Sequence, residues 1–385
     1  MVEAMTKSLW RIALLPLALV GAAAAPASRP AGPITVTPVD ASSTAAAALP
    51  LHIGGRVERT AKGYRRQWPG TYWEGAFLGN DVQLRIGAGD VILKVAVDGT
   101  AVATLVKPRA GAYAISGLTS GRHVVRVDVA SESQAGPTDF GGLFVTGSTR
   151  PLPAPTRARQ IEFIGDSHTV GYGNTSTTRE CSEAQVWHTT DTSRGIAALT
   201  AGRYDADYRV NAISGRGIVR NYDGFAADTI PEAYPFVLFD KARRSADPAW
   251  RPQVIVVALG TNDFSTPLHA GEPWRTRAAL HAAYQTTYAR FVRQLRAAHP
   301  RAHILLWATD LAAGEIAAQA GEVAAKLRAA GDRRIAFLRI SDLAMSGCHA
   351  HPSLADDRVI AERLAAYIDG HPDIWPSTRA ADSRR

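Results

Sequence analysis

Hydrophobic and polar positions fall into two regimes along this chain. From His52 to Val145, short β-rich runs are split by turns, and no helical period is evident. Val82 to Ile86 and His123 to Val129 alternate apolar with polar, the period of a strand with one buried face. Val91-Ile92-Leu93-Lys94-Val95-Ala96-Val97 leads into Asp98-Gly99 and then Thr100-Ala101-Val102-Ala103-Thr104-Leu105. Asp-Gly between two such runs predicts a hairpin. About eight short strands in this stretch predict a jelly-roll-like β-sandwich.

Beyond it the pattern changes. Largely apolar strands are predicted from Gln160 to Ile164, Tyr208 to Ile213, Val254 to Leu259, His303 to Trp307 and Ile335 to Leu338. Such runs read as parallel strands buried on both faces. Helical periods lie between them, from Ser193 to Ala201, Thr276 to Ala298, Gly314 to Ala329 and Ser353 to Ile368. The alternation predicts an α/β domain with a doubly wound parallel sheet.

The 385 residues are too many for one ordinary core and agree with two domains. Lys7 and Arg11 precede an apolar stretch from Ile12 to Val20, and small residues follow. That is the pattern of a secretory signal peptide, with an apolar core too short to span a bilayer. The expected partition is a signal peptide at 1–27, an unstructured leader at 28–50, the β-sandwich at 51–148, a Pro-rich linker at 149–159, the α/β domain at 160–372 and a loose tail at 373–385. The mature protein is expected to be periplasmic or secreted, with no membrane span.

The net charge of +8 comes mostly from scattered Arg, with no dense basic run interleaved with aromatics. Nucleic acid is therefore not an expected partner. The only two cysteines are Cys181 and Cys348. Export favours a disulfide between them. The loop it would close is long, so loop entropy alone would contribute roughly 5 kcal/mol.

The chemistry gathers where predicted strands end. Ile161-Glu162-Phe163-Ile164-Gly165-Asp166-Ser167 presents a hydroxyl just past a strand. Ser214-Gly215-Arg216-Gly217 follows a second strand, and Gly215 would let a backbone N–H approach a ligand closely. Gly260-Thr261-Asn262-Asp263 follows a third, with the Asn262 amide as a donor and Asp263 as a loop-bonding residue. Gly347-Cys348-His349-Ala350-His351-Pro352-Ser353 precedes the last helix, which Ser353 can cap. A serine hydroxyl needs a base to become a nucleophile, and His351 can be that base. The N–H of Ser167, the N–H of Gly215 and the Asn262 side chain would then supply an oxyanion hole. Arg216 and Tyr222 read as a surface arginine and a packed tyrosine beside the cleft. His168 reads as packed or solvent-facing, and Trp187 and His188 lie in an insertion after Cys181. His349 and His351 form a His-x-His pair, but without a third ligand no metal is expected.

These four blocks, in this order, resemble the SGNH (GDSL-type) hydrolases. With the β-sandwich ahead of them, and with Tyr72-Trp73-Glu74-Gly75 inside it, the chain is similar to carbohydrate esterase family 2. The resemblance implies an exported serine esterase that removes O-acetyl groups from acetylxylan- or glucomannan-type polysaccharide. It implies Ser167 as nucleophile and His351 as base, with no cofactor and no metal. One departure stands out. SGNH enzymes carry an Asp three residues before the His, and family 2 members often carry one two residues before. Here those positions are Cys348 and His349. Asp356 and Asp357 lie past His351 on the next helix and are expected to point elsewhere. The reading is a Ser-His dyad, with His351 oriented by a backbone carbonyl. The alternatives are an SGNH lipase- or thioesterase-like enzyme on other acyl groups, and a carbohydrate-binding protein with a degenerate site.

Overall fold

A computed structural model describes residues 32–40 and 46–375. The expected signal peptide lies outside them. The alternating segments form two antiparallel sheets of seven and six strands. Asp98 and Gly99, both at positive φ (50° and 78°), join Ile92–Val97 to Thr100–Val106. Two left-handed residues are what a tight hairpin of matching twist requires. Trp73, Phe77, Leu84, Val95, Val125 and Phe140 fill the space between the sheets.

Three expectations need correction. The start of the supposed loose tail packs, with Ile374 buried in the same core as Ile360 and Leu364. Part of the supposed leader is strand: Thr35–Val39 pairs with Gly111–Ser116 at the edge of the seven-stranded sheet, and Ala47–Ala48 pairs with Thr138–Val145. Pro38 is tolerated because an edge strand need not donate on its outer side. The start of the Pro-rich linker is also held to the sandwich. Arg150–Pro151 pairs with Tyr72–Gly79, and Leu152 N–H donates to Ala76 O at 2.9 Å.

Five parallel strands make the second unit, in the spatial order Ala206–Ala212, Arg159–Gly165, Val254–Ala258, His303–Thr309, Ile335–Ile340. Side chains alternate between its faces. Ile161 and Phe163 pack under helices Ile196–Arg203 and Leu354–Asp369, while Ile164 packs under Arg277–Ala298 and Glu315–Ala329. Burial on both faces is why the central strands Val254–Ala258 and His303–Thr309 read as largely apolar runs. The first strand in the chain is second in space, so successive connections leave it in opposite directions. The crevice at its carboxyl end is where such sheets bind ligands. The loops after Gly165, Ala212 and Ala258 open there.

The two units are fused rather than tethered. Trp68 and Tyr72 of the sandwich segment are fully buried in the two cores flanking the parallel sheet. Trp68 Nε1 donates to Phe236 O at 3.1 Å, and Tyr72 Oη donates to Asp207 Oδ1 at 3.1 Å. Arg126 reaches Glu74 at 2.9 Å and Tyr208 Oη at 3.1 Å. Burial pushes the Glu74 carboxyl up, but Arg157 and Arg126 outweigh it and hold the carboxyl below its usual range.

Candidate active site

The serine turn is built by close packing. A Cβ on Gly165 would meet Thr169 Oγ1 at 2.1 Å and Ala258 O at 3.0 Å, so only glycine ends this strand. Asp166 caps the short helix Ser167–Val170, its Oδ1 accepting from His168 N–H at 3.1 Å. Ser167 is buried to 5% exposure at the carboxyl end of the strand.

The second and third loops reach the same crevice. Gly215 adopts φ +81°, a conformation that favours glycine. No acceptor for the N–H of Ser167 or Gly215 occurs among the described residues. The sandwich grips this loop from the other unit: Glu132 Oε1 accepts from Ser214 N–H at 2.8 Å, and Gln134 Nε2 donates to Ser214 O at 3.1 Å. Burial raises the Glu132 carboxyl above its usual range, against those bonds. Asp263 is fully buried and accepts from the N–H groups of Ile218, Val219 and Arg220 at 2.9–3.0 Å. It bonds the loop, as its sequence context indicates. Burial still pushes its carboxyl up to about 6.

Asn262 stands between the serine turn and this loop. Its Nδ2 donates to Arg216 O at 2.8 Å and to Asp166 Oδ2 at 3.2 Å, so both N–H groups already have acceptors. Burial, with Asp263 adding to it, pushes the Asp166 carboxyl up to about 7. Arg216 donates to Asp228 O at 3.1 Å and lies over Phe225. Tyr222 is half exposed instead of packed, because its loop stands out over the crevice rather than into a core.

The histidine loop completes the cluster. His351 Nε2 is 2.9 Å from Ser167 Oγ. On the other side of the ring, Nδ1 lies 3.0 Å from Cys348 O and 3.2 Å from His349 O. Carbonyls only accept, so Nδ1 carries the proton, and the serine hydroxyl donates to the free lone pair of Nε2. Burial lowers the imidazole to about 4, against the two carbonyl bonds that raise it. The ring is therefore neutral at pH 7. His168, expected to pack or face solvent, packs: it is buried and edge-on to His351, with ring centroids 5.5 Å apart. Burial lowers its imidazole to about 3.

Cys181 and Cys348 form the expected disulfide, with Cα atoms 5.5 Å apart. It ties the segment after Ser167 to the loop carrying His351. The His-x-His pair diverges: His349 turns to Tyr172 Oη and Cys181 O, while His351 faces Ser167. Asp356 completes the Ser353 capping box and accepts from Ala344 and Met345 N–H. Asp357 accepts from Asn174 Nδ2 at 2.8 Å, and burial pushes it up to about 8. Neither carboxyl bonds to His351.

Sequence reasoning missed Tyr172, whose ring lies over His351 with centroids 4.3 Å apart. Its place five residues after Ser167 was the available signal. It also missed Glu132 and Gln134, for which no local signal exists because they come from the other unit.

A carbohydrate esterase 2 N-terminal family model matches residues 53–155, and a GDSL-like lipase/acylhydrolase family model matches residues 163–373. A protein of Cellvibrio japonicus described as an acetylxylan esterase / glucomannan deacetylase is 43% identical over 333 residues, covering 85% of this chain and 92% of that one. The chain belongs to carbohydrate esterase family 2. As a family member it is a carboxylic ester hydrolase with the sandwich-plus-SGNH architecture. A solved carbohydrate esterase, whose active site is described as displaying divergent catalytic and non-catalytic binding functions, superposes with a TM-score of 0.81. It is 41% identical, over 86% of this chain and all of that one. A family two carbohydrate esterase from Clostridium thermocellum, solved with cellohexaose, has a TM-score of 0.76 and 29% identity, over 84% of this chain and 100% of that one.

Proposed function

We propose that this family 2 esterase is exported and removes O-acetyl groups from a polysaccharide of the acetylxylan or glucomannan type. The observation that carries the reading is the 2.9 Å contact between Ser167 and a His351 ring whose Nδ1 is held by backbone carbonyls. The 43% identical relative, described as acting on acetylxylan and glucomannan, supports the substrate class.

The chemistry follows from that geometry. His351 Nε2 takes the Ser167 proton as Oγ attacks the acetyl carbonyl. The resulting oxyanion meets the free N–H groups of Ser167 and Gly215. Asn262 supplies a third donor by turning one N–H away from Asp166, its longer contact at 3.2 Å. Imidazolium then protonates the sugar oxygen, and the alcohol leaves. Water, deprotonated by His351, releases acetate from the acyl-serine. The Cys348 and His349 carbonyls fix the tautomer throughout but add no full negative charge opposite the imidazolium.

The glycan would lie along the seam between the units. A cavity of about 600 Å³ there is lined by Lys107, Glu132 and Gln134 from the sandwich and by Tyr172, Glu183 and Trp187 from the α/β unit. Tyr172 connects it to the Ser167–His351 pair. The test is acetate release from acetylated xylan and glucomannan, with Ser167→Ala as control. The reading requires release by the wild type and none above background by the variant. Equal release by both would refute it.

A further inference from the structure

We infer that Tyr172 and His349 are positioning residues for His351, locked by the Cys181–Cys348 bridge, and that together they do for this imidazole what a carboxylate does in a full triad. The inference rests on the Ser167–His351 reading and adds a cause for the pair's geometry.

The two carbonyls that hold Nδ1 converge because His349 and Ala350 adopt φ of 52° and 57°. Side-chain-bearing residues rarely take this left-handed conformation, and it persists only where the surroundings enforce it. The enforcing contacts come from one place, the segment running on from the serine turn. His349 N–H donates to Arg179 O at 2.6 Å, and Cys348 N–H donates to Gly173 O at 3.3 Å. Arg179 Nε donates to Met345 O at 2.8 Å, and the disulfide closes the same pair of segments. A Cβ on Gly173 would meet Cys348 Cβ at 2.4 Å, so the two backbones are in close contact.

The His349 ring completes this brace. Its Nε2 lies 2.7 Å from Cys181 O, an acceptor, so Nε2 carries the proton. Its Nδ1, 3.0 Å from Tyr172 Oη, then accepts the phenol hydrogen. Tyr172 is thereby fixed from its hydroxyl end while its ring lies over His351 at 4.3 Å and 32°. His349, two residues before His351, acts here through its carbonyl and through Tyr172. The stacked ring adds an electronic effect, because an aromatic face attracts the positive charge His351 acquires in each acyl-transfer step. His168 closes the edge of the ring. Ser167, His168, Tyr172 and His349 are thus the groups facing the imidazole, and the carboxylates reaching this cluster, Glu132 and Glu183, act on Tyr172.

The test uses a small aryl acetate and begins with Ser167→Ala. If that variant is as fast as wild type, the Ser-His reading itself has failed. If it is inactive, Tyr172→Leu decides the positioning role. Its kcat should fall about ten- to hundredfold with KM nearly unchanged. Its acid limb in kcat/KM should also move up toward an ordinary histidine, because burial is the largest effect on this imidazole and its relief outweighs the lost attraction of the aromatic face. Loss of folded protein alone would scale the profile without moving the limb, and that result overturns the inference. Tyr172→Phe keeps the ring over His351 but breaks its bond to His349, so it should retain the limb while kcat falls severalfold. Combined with His349→Ala it should cost no more than His349→Ala alone, since both break one relay; multiplicative losses would refute the relay. Cys181→Ser with Cys348→Ser should lower kcat, as should reduction of the wild-type bridge, with recovery on reoxidation. Unchanged kcat in the double variant would remove the bridge from the account.

Discussion

Ser167 stands on regular structure: a central parallel strand, a glycine that nothing larger could replace, and a capped helical turn, all buried. His351 stands on irregular backbone that strays into the left-handed region twice, fixed by a disulfide and by hydrogen bonds from the segment after Ser167. Both are held closely enough to share a 2.9 Å contact. The difference teaches that a sheet can place a serine at its carboxyl end from local sequence alone. A histidine on a loop depends on partners distant in sequence, here Gly173, Arg179 and the Cys181–Cys348 bridge.

The comparison can be broken from either side. Ser167→Ala should lower kcat on acetyl esters by at least about 10⁴, His351→Ala should approach it, and the double variant should be no worse, because the two act as one unit. Steady-state kinetics above a no-enzyme blank reads this. Next in size, Asn262→Ala should cost about 10²–10³ in kcat if its amide turns to the oxyanion. An effect below tenfold would mean that it serves only Asp166 and Arg216. Cutting the histidine side by paired serine substitution of Cys181 and Cys348 should cost about 2–5 kcal/mol of stability in denaturant unfolding. Hydrogen exchange in Arg159–Gly165 should stay protected while the Gly347–His351 loop opens. The smallest expected effect is with pH. If His351 is the general base it must be neutral, and burial lowers its imidazole to about 4. So kcat/KM should stay flat down to about pH 5 and fall below that. A limb near the ordinary histidine value would show a ring open to water.

The sequence told these two sides apart only in part. The parallel strands and the long helices were legible from their hydrophobic periods, most clearly in Val254–Ala258 and His303–Thr309, where burial on both faces leaves a largely apolar run. The Gly-Asp-Ser turn was legible because everything that shapes it lies within a few residues. The disulfide followed from the cysteine count and the expected export. The edge strand Thr35–Val39 was missed, since its Pro and its low-complexity surroundings masked a short β-branched alternation. Glu132 and Gln134 were invisible because no pattern in the sandwich says which loop will face the other unit. Tyr172 looked like one more residue after a turn, and only the fold shows it beneath the base.

The account's central claim is that acetyl passes through Ser167 with His351 as its base. Mass spectrometry of the protein quenched during turnover of an acetylated xylo-oligosaccharide tests it most directly. The account predicts one acetyl group on the peptide carrying Ser167 in the wild type and none in Ser167→Ala. Acetate release without any acetyl on that peptide, continuing undiminished in the variant, would contradict it.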